Sequence, residues 1–164
     1  MAIHYKSIKG SFIDLVPLFI LFFITFNGNS VLELKYFTIN INYILIYYWV
    51  LRKPDTMSYG YIFISGIITD VILGLPIGIT SLALLFVAAT AAYVRVVTVK
   101  VSLVADWISF IPALLVGNFI YFIVLYYSNN TVDILYMFQN SIFTFIFYPI
   151  LWLPFTIISK LMKP

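Results

Sequence analysis

With 164 residues, of which 63% are hydrophobic and 9% are charged, the chain is too apolar for a soluble globular domain, in which about a quarter of the residues are charged. The sequence contains no Cys and one His, which argues against disulfides, thiolate metal sites and a histidine-based catalytic triad. The net charge of +3 does not indicate a nucleic-acid partner, because the placement of the basic residues is typical of membrane topology.

Six apolar runs follow one another along the chain, and their lengths are typical of transmembrane helices. The first two are short for a hydrocarbon core of about 30 Å, so their ends are the hardest to place. Only short polar segments separate the runs, which leaves no linker and no second domain. The sequence therefore predicts an all-α polytopic membrane protein, a single transmembrane domain over residues 1–164, with spans at 12–26, 37–51, 57–73, 77–94, 103–127 and 135–159.

Basic residues predict the orientation of these spans. In a six-span arrangement Lys35 lies on one side of the membrane, and the other basic residues all lie on the opposite side: Lys6, Lys9, Arg52, Lys53, Arg95, Lys100, Lys160 and Lys163. Because Lys and Arg are enriched in cytoplasmic loops, both termini are predicted to be cytoplasmic. Asp14 and Pro17 interrupt the first run and no small-residue cleavage site follows it, so we expect a retained helix and not a signal peptide.

A carboxylate inside an apolar run makes residues 69–78 the most informative segment. Asp70 is followed by a turn that contains Gly74, Pro76 and Gly78, and these four residues are referred to below as the Asp70 motif. Asp70 would lie roughly 20 Å into the membrane, where an unpaired charge is costly. Three roles are open: hydrogen bonding to the turn amides or outer water, locking of a polar cluster between helices, or service as a ligand or proton site.

Other polar residues are predicted to share the depth of Asp70, in the outer third to half of the membrane. Asn118 would lie about 22 Å from the cytoplasmic end of the fifth span. Buried polar groups in lipid need partners, so we expect Asp70 to meet some of these side chains, with Asn118 as the favoured partner. The predicted polar cluster comprises Asn40, Asn42, Thr80, Asn118 and Asn140.

Small residues recur every four positions in the fourth and fifth spans. Such stripes let helix backbones approach closely in membranes. The stripe could pack inside the bundle, or it could form an exposed groove for the helix of a partner. Its members are Ala88 and Ala92 in the fourth span, and Ala105, Ser109, Ala113 and Gly117 in the fifth.

Catalytic motifs are not evident in the sequence. It contains no Gly-rich phosphate loop and no nucleophile beside a base, so we expect neither an enzyme nor a cofactor. Two acids near predicted cytoplasmic ends, Asp14 and Asp106, could be neutralised by Lys9 or Lys100. Residues 52–55, Arg-Lys-Pro-Asp, are expected to form a tight turn, because Pro54 ends the preceding helix.

The Asp70 motif, preceded by Gly66 and by the turn at 52–55, resembles the rod shape-determining protein MreD family. Length, apolar character and short termini agree with that family over essentially the whole chain, whereas the specific match covers about 30 residues. Lys53 departs from the usual adjacency of Arg and Pro in the family's turn, and the early spans are unusually rich in Phe and Ile.

The resemblance implies a non-enzymatic scaffold in the bacterial inner membrane. Proteins of this family bind MreC, and through it they connect the MreB cytoskeleton with the RodA-type glycosyltransferase and its transpeptidase in peptidoglycan synthesis. The family is also similar in fold to the substrate-binding subunits of energy-coupling-factor vitamin transporters, which supplies the alternative function. Those subunits commonly dock through an Ala-x-x-x-Ala pattern in their first helix, whereas span 12–26 contains no Ala or Gly.

Overall fold

The computed structural model describes residues 14–28, 31–34, 37–98, 102–128 and 134–162, and these residues are helical apart from one β-hairpin. The predicted helical class is therefore confirmed. In chain order the elements are α1 (Val16–Phe26), β1 (Val31–Leu34), β2 (Phe37–Asn40), α2 (Ile41–Arg52), a 3-10 turn (Pro54–Thr56), α3 (Tyr59–Leu73), α4 (Ile79–Val97), α5 (Leu103–Tyr127) and α6 (Ile134–Leu161).

The second predicted span, 37–51, does not begin as a helix. Residues 37–40 form β2, which pairs antiparallel with β1 in a register that places Val31 opposite Asn40 and Leu34 opposite Phe37. The helix begins only at Ile41, where the Asn40 side chain caps it by accepting a hydrogen bond from the Tyr43 amide at 3.2 Å. Asn40, in an extended conformation, thus separates a strand from a helix within the apolar run 37–51.

Three helices are long and apolar enough to cross a membrane: α4, α5 and residues 137–161 of α6, with 19, 25 and 25 residues. Spanning a hydrocarbon core takes about 20 residues of helix. Helices α1 and α3 are apolar but shorter, with 11 and 15 residues, and α2 has 12. Within the described part of the chain, these lengths and compositions indicate a membrane protein.

Helix α2 forms the centre of the bundle. It packs against α1, α4, α5 and α6, and every residue from 42 to 50 is buried. Around it the outer helices follow in the order α1, α3, α4, α5 and α6, because consecutive members of that series pack together, and β2 packs against α6.

The outward faces of the bundle are apolar on every peripheral helix. Large exposed side chains include Phe19 and Phe23 on α1, Leu82 and Phe86 on α4, Leu115 and Phe119 on α5, and Phe138 and Ile142 on α6. So many large apolar side chains exposed on every peripheral helix are unusual for a water-soluble monomer. This is the surface expected of helices that contact lipid.

Candidate functional site

The Asp70 carboxylate caps the helix that follows its own. Asp70 lies in the last turn of α3 and is completely buried. One carboxylate oxygen accepts a hydrogen bond from the Gly78 amide at 2.7 Å, and the other accepts one from the Thr80 amide at 3.0 Å. The first amides of a helix have no partner within the helix, and its N-terminus favours negative charge. Asp70 therefore meets both requirements of α4 from the neighbouring helix.

Two glycines shape the turn that brings this carboxylate to α4. Gly74 has a φ of 65° and Gly78 a φ of 103°, a backbone region that residues with a Cβ rarely adopt. Gly74 ends α3, and the Leu75 amide donates a hydrogen bond to the main-chain carbonyl of Asp70 at 2.9 Å. A Cβ at either glycine would meet no atom within 4 Å, so the constraint is conformational and not one of space.

The helices on either side of the turn are in backbone contact. A Cβ placed on Gly66 of α3 would lie 2.4 Å from the Cα of Ser81 in α4, so only glycine fits this approach. The Ser81 hydroxyl donates a hydrogen bond to the Phe63 carbonyl at 2.9 Å across the same interface. Small residues with interhelical hydrogen bonds are the usual means of joining helices in lipid. The α3–α4 hairpin is thus held by Asp70 at its turn and again at Ser81, in the first turn of α4, where that helix meets Gly66 and Phe63 of α3.

Asn118 has a different partner from the one predicted. Its side-chain amide donates a hydrogen bond to the Ser141 hydroxyl at 2.5 Å, and that hydroxyl donates to the Met137 carbonyl at 2.8 Å. The prediction of an Asp70–Asn118 pair is therefore corrected. The Asp70 carboxylate reaches the start of α4, where its two oxygens accept hydrogen bonds from two backbone amides. Asn118 instead joins α5 to α6. Thr80 reaches Asp70 through its backbone amide, whereas the prediction used its side chain.

Asn40 and Asn140, two other members of the predicted polar cluster, meet where the β-hairpin contacts α6. The Asn40 amide donates to the Thr144 hydroxyl at 2.9 Å, and that hydroxyl donates to the Asn140 side-chain oxygen at 3.5 Å. Asn42 is 1% exposed, and in the described part of the chain neither polar atom of its side chain has a hydrogen-bond partner. The predicted single cluster is thus several distinct groups, because sequence depth does not specify which helices face each other.

Half of the residues in the small-residue stripe are buried inside the bundle, and the other half are partly exposed. Ala113 and Gly117 of α5 are buried, as is Ala88 of α4, whereas Ala92, Ala105 and Ser109 are half-buried. A Cβ on Gly117 would lie 2.7 Å from a methyl carbon of Val87 and 3.0 Å from the Tyr43 ring. This glycine lets α5 approach both α4 and the central helix.

Sequence reasoning missed an ion pair that joins three helices. Arg52, at the end of α2, binds the Asp106 carboxylate in the first turn of α5, and the Trp152 indole of α6 donates to the same carboxylate at 3.2 Å. The guanidinium also lies 5.9 Å from the ring centres of Tyr48 and Trp152. Asp106 is only 3% exposed and was expected to pair with Lys100, which falls outside the described residues. The sequence did contain a hint of this pair, because the predicted topology placed Arg52 and Asp106 on the same side of the membrane.

Both of these buried acids are held by architectural partners, one by helix-terminal amides and the other by a cation and an indole. In the described residues no three His, Asp or Glu side chains come together in a way that could hold a metal ion. What this arrangement can do chemically is hold helix ends in fixed positions.

No protein-family model, curated protein or solved structure matches this chain. The fold and the site themselves define the class of the protein. It is a helical membrane protein organised around a buried central helix, α2, and an α3–α4 hairpin that is capped by a carboxylate.

Proposed function

We propose that this chain is a non-enzymatic scaffold subunit of the bacterial cell-elongation complex, which binds a MreC-type protein in the cytoplasmic membrane. The observation that carries the proposal is the Asp70 motif, whose sequence resembles that of the MreD family and which forms a defined turn in this chain. Asp70, Gly74 and Gly78 each have a conformational or hydrogen-bonding role in one hairpin. A motif of this kind preserves a shape, which is what a scaffold requires.

The mechanism of such a scaffold is positional. Asp70 and Gly66 set the separation and direction of α3 and α4, and the Arg52–Asp106 pair sets α2 against α5 at the opposite end of the core. A partner helix that packs on this bundle would then be held at a defined angle and depth. Through the MreC-type protein, that position would be passed to the MreB cytoskeleton, the RodA-type glycosyltransferase and its transpeptidase.

The proposed topology has six membrane crossings with both termini in the cytoplasm. It is supported by the distribution of Lys and Arg and by the apolar outer faces. The short α2 is compatible with a crossing because β2 directly precedes it. Laid end to end, four strand residues and 12 helical residues measure about 31 Å, close to the thickness of the hydrocarbon core. Non-helical backbone at that depth is tolerated when protein covers it, and β2 packs against α6.

Co-purification tests the proposed partner. The full chain, carrying an affinity tag, is co-expressed with the full-length MreC-type protein of the same bacterium and extracted in mild detergent. We expect the two proteins to elute together in a fixed ratio, whereas an unrelated single-span membrane protein of similar abundance should not be retained. Elution of the tagged chain without the MreC-type protein would contradict the proposal.

The alternative, a vitamin-binding transporter subunit, has less support. A groove of about 550 Å³ between α5 and α6 has the size of a small-molecule site, but Asn118 and Ser141 are the only residues with polar side chains among those that line it. A water-soluble vitamin needs several convergent polar contacts. Identification of a vitamin bound to the purified protein by mass spectrometry would reverse this ranking.

A further inference from the structure

The groove between α5 and α6 is a continuous strip on both helices. Its lining residues recur at the three- and four-residue spacing of one helix face, which gives it a length of about 16 Å along α5. Its volume is about 550 Å³, much larger than a packing defect. It is referred to below as the α5–α6 groove and is lined by Ile111, Leu114, Leu115, Asn118, Phe119 and Phe122 of α5, and by Met137, Phe138, Ser141, Ile142 and Phe145 of α6.

The rim of the α5–α6 groove is exposed and apolar. Leu115, Phe119 and Phe138 are 66%, 63% and 67% exposed. Helices α5 and α6 both have the length and composition of membrane-spanning helices, so this rim lies in the part of the bundle suited to hydrocarbon. The groove therefore opens sideways, toward lipid or toward another membrane helix, and not toward water.

Two polar side chains lie among the otherwise apolar lining of the groove, which is unusual for a surface that faces lipid. The Asn118–Ser141 hydrogen bond crosses from α5 to α6, and both side chains line the groove and are half-buried. A side-chain amide has one acceptor oxygen and two N–H donors, and the bond to Ser141 uses a single N–H. Polar groups at membrane depth need protein partners, and Asn side chains are well suited to hydrogen bonds between helices.

We propose that the α5–α6 groove is the docking site for one membrane-spanning helix of a partner protein, which presents a Ser, Thr, Asn or Gln side chain to Asn118. The partner is the one assigned under the proposed function, so this inference rests on that assignment. The partner helix lies along the strip between the two rims and covers the exposed Phe119 and Phe138.

Complementarity favours a helix over the other possible occupants. A lipid acyl chain can fill an apolar trough but offers no hydrogen bond to the Asn118 amide. A second copy of this chain related by a two-fold axis would bring the same patch against itself. Two hollows facing each other leave the groove unfilled, whereas a convex helix fills it.

Groove-filling and polar-deletion variants test this site in the co-expression assay with the full-length MreC-type protein. Leu115→Trp places a large ring in the groove, and Asn118→Leu removes the hydrogen-bonding amide. Leu82→Trp is the matched control, because Leu82 is also an exposed leucine, at 41%, but is on α4 and does not line the groove. We expect recovery of the partner to fall about tenfold for both groove variants, the change typical of a well-formed contact, and to stay unchanged for the control.

Photocrosslinking provides a second measurement that does not require a disruptive variant. Benzoylphenylalanine introduced at Phe119 should form adducts with the partner's membrane helix, whereas the same group at Phe23 of α1, which is 71% exposed, should not. Adducts of Phe119 with a second copy of this chain, or with lipid alone, would overturn the groove assignment.

The two proposals can fail separately. If the unmodified chain retains the MreC-type protein and Leu115→Trp retains it equally well, the groove is not the docking site and the proposed function stands. If the unmodified chain does not retain that protein at all, the proposed function fails, and the groove's assigned partner fails with it.

Discussion

Two substitutions of Asp70, to Ala and to Asn, should destabilise the protein by different and measurable amounts. The carboxylate accepts two backbone hydrogen bonds, at 2.7 and 3.0 Å, from amides at the start of α4. In Asp70→Ala both amides lose their acceptor, and a buried amide without a partner costs about 2 kcal/mol, so the expected loss is about 4 kcal/mol. In Asp70→Asn one oxygen remains, while the new NH₂ group faces an amide that also donates. One bond is therefore lost, and the expected cost is about 2 kcal/mol.

The free energy of unfolding can be measured in mixed micelles by titration with dodecyl sulfate, with tryptophan fluorescence as the signal. Asp55→Asn is the matched control, because it removes the same charge from an exposed residue in the 3-10 turn, and it should change stability by less than about 0.5 kcal/mol. The expected order of destabilisation is Asp70→Ala, then Asp70→Asn, then the control. If both Asp70 variants matched the control, the carboxylate would not cap α4 and the structural role assigned to it would be refuted.

Two further comparisons test the contacts that hold the core. Gly66→Ala should cost about 3 kcal/mol, because the added Cβ would lie 2.4 Å from the backbone of α4. In the control Gly60→Ala, on the same helix, the Cβ meets nothing closer than 3.9 Å, so this variant should be neutral or stabilising by up to about 1 kcal/mol. Equal thermal stability of the two variants would refute the close approach. Arg52→Ala should cost about 3 kcal/mol because it leaves the buried Asp106 charge unpaired, whereas exposed Arg95→Ala should stay within about 0.5 kcal/mol in the same unfolding assay. Adding Asp106→Asn to Arg52→Ala should recover part of that loss, and a further loss of similar size would contradict the pairing.

Most of the helices can be predicted from the lengths of the apolar runs and from the polar, Gly and Pro residues that interrupt them. The predicted run at 103–127 coincides with α5, and the runs at 57–73 and 77–94 lie within three residues of α3 and α4. The hairpin before α2 could not be predicted in this way. A short apolar segment has the same hydropathy as a strand or as the first turn of a helix, and only its pairing with residues 31–34 distinguishes the two.

The candidate site shows the same limit at the level of side chains. The cap formed by Asp70 was one of three roles open from the sequence, because its partner amides lie only 8 and 10 residues ahead. The Arg52–Asp106 pair joins residues 54 positions apart on different helices, and depth in the membrane does not reveal which helices are neighbours. The assignment of Asn118 to Asp70 was wrong for the same reason, since it used depth alone.

Depletion of this protein in its source cell tests the central proposal most directly. If the chain is a scaffold of the cell-elongation complex, rod-shaped cells should become round as the protein is lost, and re-expression of the unmodified chain should restore the rods. Asp70→Ala expressed at the same level should restore them less well. Depleted cells that keep their rod shape, and that recover growth only when a vitamin is supplied, would contradict the scaffold function and favour transport.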